Sequence, residues 1–338
     1  MVELLKRLTE ANGVSGNEGE VREIIKHEIS SLVDDIYIDG IGNLIGYKKG
    51  NGNDPKKIML CAHMDEVGFI ISHISDNGML KFKAVGGIDP RILVSKRVLI
   101  GKDEVPGVLG IKAIHLQEPS ERTNAVKIDQ MYIDIGAKSK EDAKKVVNLG
   151  DYGIFDSSLV EFGEGKIKAK ALDDRVGCLA IIEALKEEYD HDIYACFTVQ
   201  EEVGLRGAGV AAFHVKPDIA MIIEGTTCSD VAGVDKHLYT TTMGEGPAVT
   251  IRDGSSISDR GLVKLLRDIA EEKGIRYQLK KGTTGGNDAG AIHVSREGIA
   301  TCVVSVPCRY IHSPSSVMDI NDFKGTIELV KEFVKGCE

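Results

Sequence analysis

The stretch KIMLCAHMDEVGF, residues 57–69, decides how this chain is read. Lys57 to Ala62 is a short apolar run that follows the turn-forming residues NGNDP, and it reads as a buried strand. That strand delivers His63 at its C-terminal end, with Asp65 two residues on. In open α/β sheets ligand sites form at such ends, because loops can converge there while the strands stay rigid. A lone histidine after a strand is more often a hydrogen-bonded rim residue than a ligand. Its meaning therefore depends on what else the chain brings to the same edge.

On the N-terminal side, Val2, Leu4, Leu5, Leu8 and Ala11 share one helical face, and Ser15-x-x-Glu18 predicts a capping box that opens a second amphipathic helix to about Leu32. Ile36 to Ile38 and Asn43 to Tyr47, separated by Gly40 and Gly42, read as a hairpin. On the C-terminal side the pattern alternates. Strands are expected at Ile167 to Ala171, Ile193 to Gln200 and Ile219 to Glu224, and helices at about Arg175 to Tyr189, Ser258 to Lys273 and Asp319 to Lys335. This is the rhythm of an α/β domain. From about Phe69 to Glu161 it breaks into short β-like runs (Leu80 to Ala84, Arg97 to Ile100, Val108 to Ile114, Met131 to Ile135) divided by Gly, Pro and Asp turns. The expectation is an α/β domain formed by residues 1–69 and 162–338, with a small β-barrel inserted at 70–161.

The composition narrows the function classes. Of 338 residues, 42% are hydrophobic and 28% charged, which is ordinary for a globular chain. The formal net charge of −10 leaves no electrostatic reason to expect nucleic acid or an anionic membrane as a partner. Seven cysteines without a Cys-x-x-Cys pair argue against a zinc ribbon and against a secreted disulfide framework. The opening MVELLKRLTEANG carries charges through its apolar positions, unlike a signal peptide, and no run reaches the roughly 18 apolar residues of a membrane span. A cytoplasmic location is expected.

Five segments place an acidic or imidazole side chain where an apolar run ends: CAHMDEVG (61–68), KALDDRVG (170–177), VQEEVGLRG (199–207), IIEGTTCSD (222–230) and YIHSP (310–314). Divalent ions such as Zn²⁺ or Co²⁺ take imidazole and carboxylate ligands, and a bridging carboxylate lets two ions sit roughly 3.5–4 Å apart. Blander readings compete. Asp173–Asp174 also reads as a helix N-cap, so Asp174 is expected to cap while Asp173 ligates, and adjacent Glu201 and Glu202 are the usual make-up of a solvated turn. GTTGGNDAG (282–290) lacks the phosphate-loop pattern and is expected to shape a cleft wall. The seven other histidines, His115 and His237 among them, have no ligand spacing, although His115, in the inserted segment, could reach an active site across a subunit contact.

Taken together, AHMDEVGF, KALDDRVG, QEEVGLRGA and PCRYIHSP stand in the order and approximate spacing of the M42 aminopeptidases, and the chain resembles that family along essentially its whole length. The resemblance implies a zinc-exopeptidase-like α/β/α catalytic domain with a mixed sheet. It also implies two divalent ions per subunit, Zn²⁺ or Co²⁺ with Mn²⁺ as a third choice. Carried over by position, one ion falls to Asp173, Glu202 and His312 and the other to His63, Asp173 and Glu224. Asp173 would bridge them, Glu201 would be the general base and Asp65 would orient His63. The family often has Asp where this chain has Glu224, which leaves Asp230 as the alternative fifth ligand. The implied function is removal of N-terminal residues from peptides by a homo-oligomer, a dodecamer assembled from dimers through the inserted segment.

Two rivals share the chemistry. Related deacylases and carboxypeptidases insert an α/β lid after the second ligand motif, whereas this insertion lies between His63 and Asp173 and reads as all-β. A polysaccharide hydrolase, a label some family members have carried, needs aromatic platforms, and this chain has no Trp and 5% aromatics. A scaffold that had lost its chemistry would not be expected to keep all five ligands and Glu201.

Overall fold

Two amphipathic helices, Val2–Glu10 and Gly19–Ile29, lead into β1 (Asp35–Ile38), β2 (Leu44–Lys48) and β3 (Lys57–His63). The computed structural model describes residues 1–337, the side chain of Glu121 excepted. Six strands follow: β4 (Gly68–Ile74), β5 (Leu80–Val85), β6 (Arg97–Ile100), β7 (Val105–Gly110), β8 (Tyr132–Asp134) and β9 (Tyr152–Phe155). The chain then runs through β10 (Val160–Phe162), β11 (Lys166–Ala169), β12 (Asp192–Thr198), β13 (Ile219–Thr227), β14 (Ala248–Thr250), β15 (Gln278–Leu279), β16 (Ala300–Arg309) and β17 (Ser316–Asp319).

Strands β4 to β9 close into a barrel in the order β4-β5-β8-β7-β6-β9. The others form one mixed sheet, ordered β1-β2-β12-β3-β13-β16-β17-β11-β10, with β14 and β15 attached at β16. The fold is α/β with an inserted β-barrel. Strand β10, at the end of the 70–161 stretch, pairs with β11 in the large sheet.

The centre of the sheet explains its apolar sequence. Strands β12, β3, β13 and β16 run parallel, and both faces of such strands are covered, so their sequences read as continuous apolar runs. The period of two still sorts side chains between faces. Ile58, Leu60 and Ala62 join Ile193, Ala195, Phe197, Met221 and Ile223 in the core beneath helices Leu172–Ala184 and Ile320–Lys335. Met59, Cys61, Cys196, Ala220 and Ile222 face the other way, against helix Arg206–Val215. Three layers result. All seven cysteines are free and buried, as small apolar residues would be. The barrel has its own core, in which Phe69 meets Phe82 and Phe155 edge to face at 5.3 and 5.1 Å.

One expectation about the N-terminal turn fails. Ser15 and Glu18 form no capping box: the second helix begins at Gly19 after Glu18, without a side-chain cap. The Ser15 hydroxyl instead donates to the buried Asp65 carboxylate at 2.6 Å, and Glu18 accepts from the backbone N–H groups of Gly16 and Gln200. A buried carboxylate needs donors more than a solvent-accessible helix end does. Helix Arg206–Val215 was not anticipated, since its sequence RGAGVAAFHV has the small-residue look of a loop.

Candidate metal centre

Because β3, β12, β13 and β16 are parallel, their carboxyl ends share one edge of the sheet. His63 closes β3 in register with Thr198, which closes β12. The chain then turns through Gln200, held at φ 58°, and presents Glu201 and Glu202. In β13, Ile222 pairs with Cys61, which puts Glu224 level with His63. His312 follows the end of β16, also in the left-handed region at φ 58°.

Asp173 arrives differently, from the first residues of helix Leu172–Ala184. Asp173 and Asp174 are not helical, and the peptide between them is cis. The helix proper starts after Asp174, whose Oδ1 accepts from Gly177 N at 2.9 Å and whose Oδ2 accepts from His63 N at 3.3 Å. Asp174 is therefore the cap the sequence suggested, and it also ties the helix to β3. The close approach requires glycine twice. A Cβ at Gly177 would lie 2.4 Å from the Asp174 carboxylate, and one at Gly225 would lie 3.0 Å from the Asp173 Cα.

Two clusters meet at Asp173. On one side the His63 Nε2 lies 3.4 Å from Asp173 Oδ1 and 3.7 Å from a Glu224 oxygen. On the other the His312 Nε2 lies 3.5 Å from Asp173 Oδ2 and 3.2 Å from a Glu202 oxygen. Each trio has its ligand atoms within 4.8 Å of one another, close enough to share an ion, and no other such group occurs among the described residues. Asp230 belongs to neither, because both its oxygens pair with the Arg309 guanidinium at 2.9 and 2.7 Å. Its charge is already matched. His115 and His237 lie outside both clusters.

The tautomers follow from the partners. His63 Nδ1 is 3.0 Å from the Asp65 carbonyl, and His312 Nδ1 is 2.8 Å from the Gly87 carbonyl. A carbonyl only accepts, so each Nδ1 carries a hydrogen, which leaves each Nε2, on the carboxylate side, as the nitrogen available to a cation. Asp65 thus orients His63 through its main chain, with its carboxylate oxygen 3.5 Å from the ring. That carboxylate accepts from Ser15 Oγ and from the N–H groups of Glu201 and Glu202, at 2.9 and 3.1 Å for the two amides. It holds the turn that carries both glutamates.

The residues fit a pair of cations. Asp173 Oδ1 is buried and has no hydrogen-bond partner, a costly state for a carboxylate oxygen unless a positive centre faces it. Burial alone would raise Asp173, but the two facing imidazoles, His312 first and then His63, outweigh it and hold the carboxyl below its usual range. Burial pushes Glu201 up to about 9, opposed by His63 and reinforced by Asp288, Glu202 and Asp173. Burial works against the charged form of His312, yet Asp173 and Glu202 prevail and push it up to about 11. Negative charge dominates the pocket, and imidazole with carboxylate is a donor set suited to Zn²⁺, Co²⁺ or Mn²⁺.

The two trios and Glu201 open into a cavity of about 530 Å³. Thr284 to Asn287 form part of its wall, the role expected of the Gly-rich stretch. Leu205 and Ile311, which lie inside the quoted segments, also line it, as does Lys280, which lies outside all of them.

A family model described as M42 glutamyl aminopeptidase matches residues 42–329. The chain belongs to the M42 family. The match takes in His63, Asp173, Glu201, Glu202, Glu224 and His312 as well as the whole barrel. Within the M42 group, the lysyl aminopeptidase of Pyrococcus furiosus is 32% identical, the alignment covering 98% of this chain and 96% of that one. Aminopeptidase APDkam598 of Desulfurococcus kamchatkensis superposes with a TM-score of 0.95 at 40% identity, over 99% of this chain and 94% of its own. The Pyrococcus horikoshii TET1 peptidase, which can assemble into a tetrahedron or a large octahedral shell, gives 0.86 at 34% identity over 98% of each chain. A Thermotoga maritima protein named an endoglucanase gives 0.82 at 37% identity, over 98% of this chain and 96% of its own.

Proposed function

We propose that this protein is an aminopeptidase that removes residues from the N-termini of peptides, with two divalent cations held by His63, Asp173 and Glu224 and by Asp173, Glu202 and His312. The observation that carries the reading is Asp173, whose two oxygens face two separate imidazole–carboxylate clusters. Bound there, two cations would lower the pKa of an attacking water and polarise the scissile carbonyl.

The remaining work falls to the chain. Glu201 takes the proton of the water and returns it to the leaving amine. Its upward shift comes first from burial and then in part from Glu202 and Asp173, and the second contribution falls away once those carboxylates serve as ligands. Asp65 fixes His63 and the Glu201–Glu202 turn, so base and ligands keep their spacing. Glu202 is read as an acceptor for the substrate's free amine as well.

Residues 1–69 and 162–338 are read as the catalytic domain and 70–161 as the oligomerisation domain. Support comes from Ile114, Leu116 and Leu149 of the barrel segment, each at least 60% exposed, and from the assemblies of the P. horikoshii peptidase. A dodecamer built from dimers in the cytoplasm would admit unfolded peptides and spare folded proteins. No helix is long and apolar enough to cross a membrane among the described residues.

The endoglucanase name on one neighbour raises the polysaccharide reading. The cavity lining contains no Phe, Tyr or Trp to stack on a sugar, and its four carboxylates converge on two imidazoles rather than flanking a glycosidic bond. The barrel's place between His63 and Asp173 separates the chain from relatives with an α/β lid. The direct test is chelation followed by titration with Zn²⁺, Co²⁺ or Mn²⁺ against aminoacyl-chromophore substrates. Recovery should track about two ions per chain, and undiminished hydrolysis after complete chelation would overturn the reading.

A further inference from the structure

Family membership leaves open which N-terminal residue is removed, since the matching model is described as glutamyl and a relative at 32% identity is a lysyl enzyme. The cavity wall is more specific. Apart from the two histidines, Lys280 is the one cationic residue that lines it. Its backbone is pinned, because Leu279 pairs with Val249 in the sheet and Lys280 N donates to Val249 O at 3.0 Å. Its ammonium has no ion pair or hydrogen bond among the described residues. Neighbouring Lys281 is exposed and does not line the cavity.

Away from the proposed ligands and Glu201 the wall is otherwise uncharged, and includes Thr227, Thr284, Asn287 and Ser305 with Leu205 and Ile311. If the four lining carboxylates are balanced by two divalent cations, as the proposed function has it, Lys280 sets the sign of the field a substrate side chain meets. A partly buried lysine whose ammonium has no partner among the described residues is an unfilled donor site for a carboxylate.

We infer that Lys280 is a specificity-determining residue that selects substrates with an N-terminal acidic residue by pairing with its side-chain carboxylate. The inference rests on the aminopeptidase reading above and goes beyond it by naming the substrate class.

The test uses the full metal-loaded protein and the p-nitroanilides of Glu, Gln, Leu and Lys, in which the glutamyl side chain is the only carboxylate. The expected kcat/KM for Glu exceeds that for its neutral isostere Gln by about tenfold, the worth of a charge-assisted hydrogen bond at a partly solvated site. Lys280→Met should bring that ratio toward one, Lys280→Glu should invert the preference toward Lys, and Lys281→Met should leave the ratio as it was. Calorimetric titration gives a readout without turnover. Free L-glutamate, the expected product, should bind more tightly than L-glutamine to the unsubstituted protein and not to Lys280→Met. Equal use of Glu and Gln, or a Glu preference that survives in Lys280→Met, overturns this inference alone. Hydrolysis of none of the four overturns the aminopeptidase reading and this inference with it.

Discussion

The Nδ1 of His312 lies 2.8 Å from the carbonyl oxygen of Gly87, which joins a proposed ligand carried beyond β16 to the loop that follows β5 of the barrel. The inserted domain supplies no ligand, yet it sets the tautomer and aim of one imidazole. The barrel therefore touches the candidate metal centre directly, through the loop that carries Gly87.

Asp173 should be the most damaging ligand to change. Asp173→Asn keeps the shape but removes the charge that two clusters share. Metal analysis of the purified variant should show loss of both ions. A variant that still holds two ions tightly removes Asp173 from the bridging role.

Glu201→Gln separates base from ligand. The amide cannot take a proton, so turnover should fall by roughly 10²–10⁴-fold while metal content persists. Loss of metal would mark Glu201 as a ligand, and near-normal turnover would exclude it from proton transfer.

Ser15 was legible only as a helix cap, but its hydroxyl is one of three donors to the buried Asp65 carboxylate. Ser15→Ala leaves that carboxylate short of a partner, at a cost of about 1–3 kcal/mol. Because Asp65 holds the Glu201–Glu202 turn, kcat should drop by about 10-fold or more with the fold retained in circular dichroism. Unchanged kcat would show that the two amides suffice.

Beneath the site, Glu66 accepts from Lys170 Nζ at 2.7 Å and Arg175 Nη2 at 3.1 Å, all three nearly inaccessible to solvent. Glu66→Ala would leave two buried cations side by side, and breaking a buried ion pair in this way costs about 3–5 kcal/mol. Chemical denaturation should show that loss. A midpoint within error of the unsubstituted protein would mean that the cations find water on their own.

Light scattering addresses the assembly. A dodecamer of 36.5 kDa chains is expected, cutting short peptides stepwise and leaving a folded protein with an exposed N-terminus largely intact. A fully active monomer argues against the oligomer, and efficient trimming of the folded substrate by the intact particle argues against gated access.

The sequence by itself carried the apolar runs that became β3, β12 and β13, the change of texture between Phe69 and Glu161 that became the barrel, and the acidic and imidazole residues at the run ends. These are local properties. Strand burial is written as an unbroken apolar run, and a ligand residue in the turn that follows is visible without knowing the neighbours. What the tertiary structure decided was convergence. The sequence favours Glu224 with Asp230 as the alternative, and only the parallel register of β13 with β3 lifts Glu224 to His63 while Arg309 claims Asp230. Ser15 finds Asp65 across fifty positions, and Lys280 reaches the cavity because β15 is pinned to β14. Such contacts depend on sheet order between segments far apart in the chain, and the spacing of residues within any one segment does not encode it.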